Sequence, residues 1–142
     1  MATIIPNSLL NDVARGLVDF DTDTFKVMLV TSAYAENKDT HAKRSDVTNE
    51  VSGTGYTAGG NAVTITVNAI DTANDRIDIT LGGTTWPAST ITGARKAVYY
   101  KSRGGASSAD ELIAVVDAGS DQSTVAGTMT LTASTLRKSN LT

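Results

Sequence analysis

The chain of 142 residues contains no cysteine, one histidine and two prolines, and aromatic residues make up only 5% of it. Without cysteine it cannot form a disulfide framework, a zinc ribbon or a thiolate nucleophile. A single histidine cannot build the usual zinc sites. These absences exclude thiol enzymes and the common zinc enzymes, and they leave the redox compartment undetermined.

Positive charge and long apolar runs are also scarce. Twelve Lys and Arg residues stand against 15 Asp and Glu residues, so the net charge is −3 and no global positive field attracts phosphate backbones. No apolar run approaches the roughly 18–20 residues of a membrane span. The start, "MATIIPNSLL", lacks the basic and apolar regions of a signal peptide. We therefore expect no nucleic-acid or membrane partner, and synthesis in the cytoplasm.

The length predicts one domain over residues 1–142, and the Thr-rich, Gly-punctuated composition favours strands over helices. One short amphipathic helix is predicted in "NSLLNDVARGLV", where Leu9, Leu10, Val13 and Leu17 recur at helical spacing. Asn7 or Ser8 is its expected N-cap.

Alternating apolar and polar residues predict six strands after this helix. Gly93 marks a bulge in one of them. No helical crossovers separate the later strands, so the predicted fold class is mainly β: an antiparallel β-sandwich or barrel with one short N-terminal helix. The six strands lie in "FKVMLVTS", "NAVTITVNAI", "DRIDITLGG", "TITGARKAVYYKS", "LIAVVDAG" and "GTMTLTAS".

Three segments are predicted to lie outside this β core. Residues 1–6 form an N-terminal arm, residues 33–60 a long polar loop excursion, and residues 134–142 a basic C-terminal tail. A loop this long in a compact domain is usually functional or contains an unrecognised element. We expect the excursion to contact a partner.

The stretch "GTGYTA" from Gly53 to Ala58 fits the G-x-G-x-x-(G/A) spelling of a dinucleotide-binding loop. That site requires a strand before the first glycine and a helix after the third. Here a polar segment precedes the glycines and a predicted strand follows them, so we interpret them as turn residues with positive φ. Tyr56 is then a candidate contact residue.

Other candidates for chemistry have structural interpretations. Asp19, Asp21 and Asp23 begin like a calcium loop, but Thr24 and Val30 occupy the positions where an EF-hand needs Gly and Glu. His41 is expected to be a solvated loop residue, and Trp86 to plug one end of the fold. Of Tyr99 and Tyr100, one is expected in the core and the other exposed. We expect no catalytic, cofactor or metal residue.

The segment from Val18 to Gly60 resembles a widespread family of small structural proteins of tailed-bacteriophage virions. The shared pattern runs from "F-D-x-D-x-F-K-V-x-L" through "K-D-T-H" to "V-x-G-x-G-Y-x-x-G-G", and it continues in "DTANDRIDI", "TTWPAST" and "ITGARKAVYYK". The resemblance covers about residues 8–133; the ending "STLRKSNLT" departs from it.

This resemblance implies a non-enzymatic virion protein, made in the host cytoplasm. A capsid decoration (cement) protein on the outside of the major capsid shell is the expected role. The alternatives are a tail or head-to-tail connector protein and a virion-displayed host- or glycan-binding module. The expected partners are the major capsid protein and copies of itself, with a trimer as one arrangement. The expected contact residues are Ile4, Ile5, Pro6, Tyr34, His41, Arg44, Tyr56, Leu136, Arg137 and Leu141.

Overall fold

The computed structural model describes residues 2–139, which form two antiparallel sheets and one short α-helix. This confirms the mainly β prediction with an N-terminal helix. The sheets stay open, so the barrel alternative is wrong. The strands are β1 (Ala2–Ile4), β2 (Phe25–Val30), β3 (Gly53–Thr54), β4 (Asn61–Val63), β5 (Ile65–Val67), β6 (Arg76–Leu81), β7 (Thr84–Lys101), β8 (Leu112–Leu131) and β9 (Ser134–Ser139); the helix is α1 (Asn7–Ala14).

The larger sheet has six strands in the order β1-β8-β7-β2-β4, with β3 also pairing to β7. The long hairpin of β7 and β8 forms its centre, with Tyr100 opposite Leu112 near the connection and Thr84 opposite Leu131 at the far end. "LIAVVDAG" and "GTMTLTAS" were predicted as separate strands, but the first and residues 127–131 of the second belong to the single strand β8. The polar residues between them continue the strand because β7 offers a hydrogen-bonding edge along this length.

Bulges bend this hairpin. Gly93 has φ +69° and lies between the register pairs of Ile91 and Ala94, which confirms the predicted bulge. On β8, the four residues 118–121 lie opposite the single residue Arg95 of β7. Gly119, at φ +83°, supplies a left-handed conformation within that bulge.

The smaller sheet has the order β5-β6-β9. The predicted strand "NAVTITVNAI" is divided at Thr64, so β4 joins the large sheet and β5 the small one. Residues 134–139 were predicted to be a tail outside the core; they form β9 instead. Leu136 is 5% exposed and packs in the core that the two sheets share.

Helix α1 is shorter than predicted and ends at Ala14. Gly16, at φ +71°, then turns the chain, and the amides of Leu17 and Val18 donate to the Asp12 carbonyl. Pro6 occupies the N-cap position and no side chain caps the helix, so the predicted Asn7 or Ser8 cap is wrong. Within residues 2–139, no helix has the length and apolarity needed to cross a membrane.

The two sheets bury a common core that includes Trp86, in line with its structural interpretation. Tyr99 and Tyr100 are both buried, at 0% and 2% exposed, so the expectation that one is exposed is wrong. The reason is that β7 is covered on both faces: Tyr99 lies between the sheets, whereas Tyr100 packs in a second cluster with Tyr34.

Candidate interaction surface

The segment 33–60 packs along the larger sheet of its own chain. It contains a short 3-10 helix at Arg44–Asp46, strand β3, and a β-bridge from Glu50 to Val30. Val51 is 5% exposed, and its amide donates to the carbonyl of Leu29 at 3.0 Å. Because of this backbone pairing and these buried side chains, much of segment 33–60 is part of the fold. The sequence did not indicate this, because the segment has no regular apolar period.

Tyr56 is half-buried and belongs to this internal packing. Its hydroxyl donates to the Glu50 carboxylate at 2.7 Å and accepts from the Leu29 amide at 3.0 Å. The ring packs near Trp86, with 5.9 Å between ring centroids. Burial, followed by the Glu50 carboxylate, raises the pKa of Tyr56, while the Leu29 bond opposes the rise. Tyr56 is thus a structural residue of the 33–60 segment.

The glycines around Tyr56 meet steric requirements of the larger sheet. Gly53 and Gly55 have φ +145° and +76°. A Cβ at Gly53 would overlap the Thr90 carbonyl oxygen of β7. No helix follows these glycines in residues 56–139 other than the 3-10 turn at Ser107–Ala109. The predicted positive φ is confirmed, but Gly53 lies in strand β3 and only the later glycines lie at turns. The context required for a dinucleotide loop is missing from this part of the chain.

Tyr34 and His41 form an internal pair. Tyr34 is 1% exposed, and its hydroxyl lies 3.0 Å from His41 Nδ1. Burial, with a contribution from the Glu36 and Asp46 carboxylates, raises the pKa of Tyr34 to about 12. The rings stack at 5.7 Å, so His41 is not the solvated loop residue expected from the sequence.

Arg44 is also engaged within the chain. Its Nε donates to Asp110 at 2.7 Å, and its guanidinium lies 5.1 Å from the centre of the Tyr100 ring. The neighbouring Glu111 is 2% exposed and accepts two hydrogen bonds from Arg103. Burial by itself would raise the pKa of Glu111, but Arg103 and Lys43 lower it overall. This cluster is a set of structural ion pairs.

The acidic groups singled out in the sequence have local structural partners. Among residues 2–139, no three His, Cys, Asp or Glu side chains are placed to hold a metal ion. The acidic turn is used locally: Asp23 accepts from the Asp19 amide and pairs with Lys101 at 2.8 Å. The carboxylates that resembled the start of a calcium loop therefore fix the turn before β2.

A group of exposed apolar side chains lies on and beside α1. It consists of Ile5, Leu10, Val13 and Leu17, which are 37%, 68%, 39% and 41% exposed, and we call it the N-terminal apolar surface. Leu9 of the same helix is 5% exposed and enters the core. The helical pattern does not distinguish this surface from a buried face, because these leucines and the valine span an arc of only about 100°.

A groove of about 300 Å³ opens at this surface. It brings together predicted contact residues that are distant in sequence, since Ile5, Pro6, Leu136 and Arg137 all line it. Pro6 and Leu136 are buried, whereas Arg137 is exposed and pairs with Asp78 at 2.7 Å. Ile4 is half-buried in β1, against the cluster that contains Tyr34. Leu141 lies outside the described residues.

Comparison of the chain with protein-family models, with curated proteins and with solved structures gave no match. The choice of a candidate surface therefore rests on the geometry of the described residues. Ile5, Leu136 and Arg137 meet at one surface, whereas Tyr34, His41, Arg44 and Tyr56 serve mainly the internal packing of the larger sheet.

Proposed function

We propose that this chain is a structural protein of a tailed-bacteriophage virion, most simply a capsid decoration protein that binds the outside of the major capsid shell and stabilises it. The sequence resemblance over residues 8–133 supports the viral role. The observation that carries the binding proposal is the N-terminal apolar surface, which groups four of the large exposed apolar side chains around α1. Contiguous exposed apolar surface commonly marks a protein contact.

The architecture suits such a role. Two sheets share one core, and the N-terminal segment is held as β1 against β8, with Ile4 opposite Val115. A domain that presents the N-terminal apolar surface can bind each capsid site weakly and still remain attached, because many copies act together on a repetitive shell. Stabilising a shell requires no catalytic group. The major capsid protein is the proposed partner, and the capsid exterior the proposed location.

The number of copies per virion tests the location. Quantitative mass spectrometry of purified virions is expected to give hundreds of copies. About six or twelve copies would instead support the tail or head-to-tail connector alternative, since those assemblies are cyclic rings. Absence of the protein from purified virions would overturn both roles.

The binding surface is tested by Leu10→Lys, which places a charge on the most exposed side chain of the N-terminal apolar surface. We expect occupancy on decoration-free capsids to fall by more than about tenfold, because the charge must be desolvated at the contact. Ile70→Lys is the matched control: Ile70 is 73% exposed but lies outside this surface. If both variants bind as well as the unmodified chain, the N-terminal apolar surface is not the capsid-binding surface.

A further inference from the structure

The groove at the N-terminal apolar surface has two neighbouring concavities beyond the C-terminal end of α1. Val13 lines both the groove and the next concavity, which has a volume of about 340 Å³ and reaches Val67. Phe20 and Asp21 line this second concavity and also a third one, of about 320 Å³, which reaches Thr66. We call the three together the long groove. It leads from α1 and β9 to the point where the chain passes from β4 in the larger sheet to β5 in the smaller one.

The end of the long groove at α1 and β9 is apolar. Ile5, Pro6 and Leu10 line it, and Arg137 is the single charged residue among its lining residues. The Arg137 guanidinium donates two hydrogen bonds to the Asp78 carboxylate, at 2.7 and 3.0 Å. This end therefore presents apolar side chains and a cation that already has its partner.

The opposite end of the long groove is acidic. Asp19 and Asp21 are exposed there, and within residues 2–139 neither of them forms an ion pair. The third carboxylate of this turn, that of Asp23, pairs with Lys101 at 2.8 Å. Arg15, at the end of α1, donates instead to a side chain one turn earlier in the helix. Two negative charges at this end therefore have no counter-charge among the described residues.

We propose that the long groove binds a segment of a partner protein in which apolar side chains lie next to lysine or arginine. The apolar part of the segment packs against Ile5 and Leu10, and its basic part lies beside Asp19 and Asp21. Complementary charge of this kind selects a partner and fixes its orientation. The inference rests on the proposed function, because it takes the N-terminal apolar surface as the capsid-binding surface and adds the chemistry of the segment that binds there.

The same charges select a protein over two other kinds of partner. A cluster of exposed apolar side chains could also contact a membrane, but the carboxylates of Asp19 and Asp21 repel anionic lipid headgroups. They repel the phosphates of nucleic acid in the same way. A basic protein segment is the partner that satisfies both ends of the long groove.

Binding to decoration-free capsids tests the acidic end. The double variant Asp19→Asn with Asp21→Asn removes both charges and retains a side-chain oxygen that can accept the Asp21 amide bond. We expect its affinity to fall about fivefold at low ionic strength, and the difference to shrink in high salt, where exposed charges are screened. Asp75→Asn is the matched control, because Asp75 is exposed but lines none of the three concavities.

The outcomes separate this inference from the proposed function. If Leu10→Lys weakens capsid binding but the double variant binds as well as the unmodified chain, the inference is overturned and the proposed function stands. An equal loss in Asp75→Asn also overturns it, since the effect then comes from net charge alone. If the unmodified chain does not bind capsids, the proposed function fails, and a capsid-free experiment decides about the long groove.

That experiment selects random displayed peptides on the immobilised full chain. We expect the selected peptides to combine apolar residues with lysine or arginine. A synthetic copy of a selected peptide should bind less tightly to Leu10→Lys and to the double variant, but not to Asp75→Asn. Selection of no peptide, selection of peptides without basic residues, or binding that neither variant weakens overturns the inference. Binding of the chain to phosphatidylcholine vesicles that Leu10→Lys abolishes would assign the apolar end to a membrane, and would overturn it as well.

Discussion

The hydroxyl of Tyr56 completes the hydrogen bonding of β2 at the point where β4 ends. Strand β4 pairs with β2 only from Phe25 to Val27. Farther along the same edge, the Leu29 amide donates to the Tyr56 hydroxyl at 3.0 Å, and this hydroxyl donates to Glu50 at 2.7 Å. Replacing Tyr56 with Phe removes both bonds and keeps the ring that packs near Trp86.

The cost of Tyr56→Phe follows from the two groups left without this partner. An unsatisfied buried amide costs about 1–3 kcal/mol, and a lost bond to a charged group about 1.5–3 kcal/mol. The two are coupled, so we expect a decrease of about 3 kcal/mol in the free energy of unfolding. For a domain of this size the melting temperature should fall by about 10 °C.

Urea denaturation of the unmodified chain and the variant measures this difference. Tyr99→Phe is the matched control, because Tyr99 is also buried but its hydroxyl makes a single bond, to the Gly82 carbonyl at 3.0 Å. We expect Tyr99→Phe to cost about 1 kcal/mol. A double-mutant cycle of Tyr56→Phe with Glu50→Gln should give a coupling energy above about 1 kcal/mol. If Tyr56→Phe lies within about 0.5 kcal/mol of the unmodified chain, the structural role given to this hydroxyl is refuted.

Three further outcomes are expected in the same denaturation assay. Leu136→Ala should cost about 2–5 kcal/mol because β9 belongs to the core, while Arg137→Ala on the same strand should cost less than about 1 kcal/mol; equal small effects would restore the tail interpretation. Gly60→Ala should prevent stable folding, since φ is +69° and the added Cβ would overlap the Val27 carbonyl oxygen; a stable variant would contradict that contact. Burial, opposed by Lys43, raises the pKa of Asp12 above 3.8. The native Asp12 carboxyl therefore keeps its proton to a higher pH than the carboxyl of the unfolded chain. As a result, the contribution of Asp12 to the free energy of unfolding becomes less favourable as the pH rises above 3.8. The stability gained by Asp12→Asn should accordingly grow from acidic to neutral pH, and a gain that does not change with pH would refute the assignment.

Local pattern was sufficient for several features of the fold. The alternation around Ile77, Ile79 and Leu81 predicted β6, and Gly93 predicted the bulge that the structure contains. The order of glycines and strand around Tyr56 excluded a dinucleotide loop without knowledge of the tertiary fold. These predictions succeeded because strand alternation and positive φ depend on residues close together in the chain.

Long-range pairing decided the features that the sequence analysis missed. Residues 134–139 carry one apolar side chain, Leu136, at the centre of a polar stretch, so their alternation is too short to identify a strand. They form β9 because β6 provides a partner, with Ile79 opposite Leu136. Tyr34 and Tyr100 became internal for a similar reason: the residues that cover each of them come from another part of the chain.

The sequence by itself determined the class of the fold, the position of its helix and the positive φ of the glycines between Gly53 and Gly60. Each of these depends on local backbone preference and side-chain periodicity. Only the tertiary structure decided that Ile5 and Leu136 meet at one groove, that Tyr56 serves β2, and that Phe20 and Thr66 line one concavity. Those features depend on which strands pair and in what register, and pairing between distant segments is not encoded in any single stretch of residues.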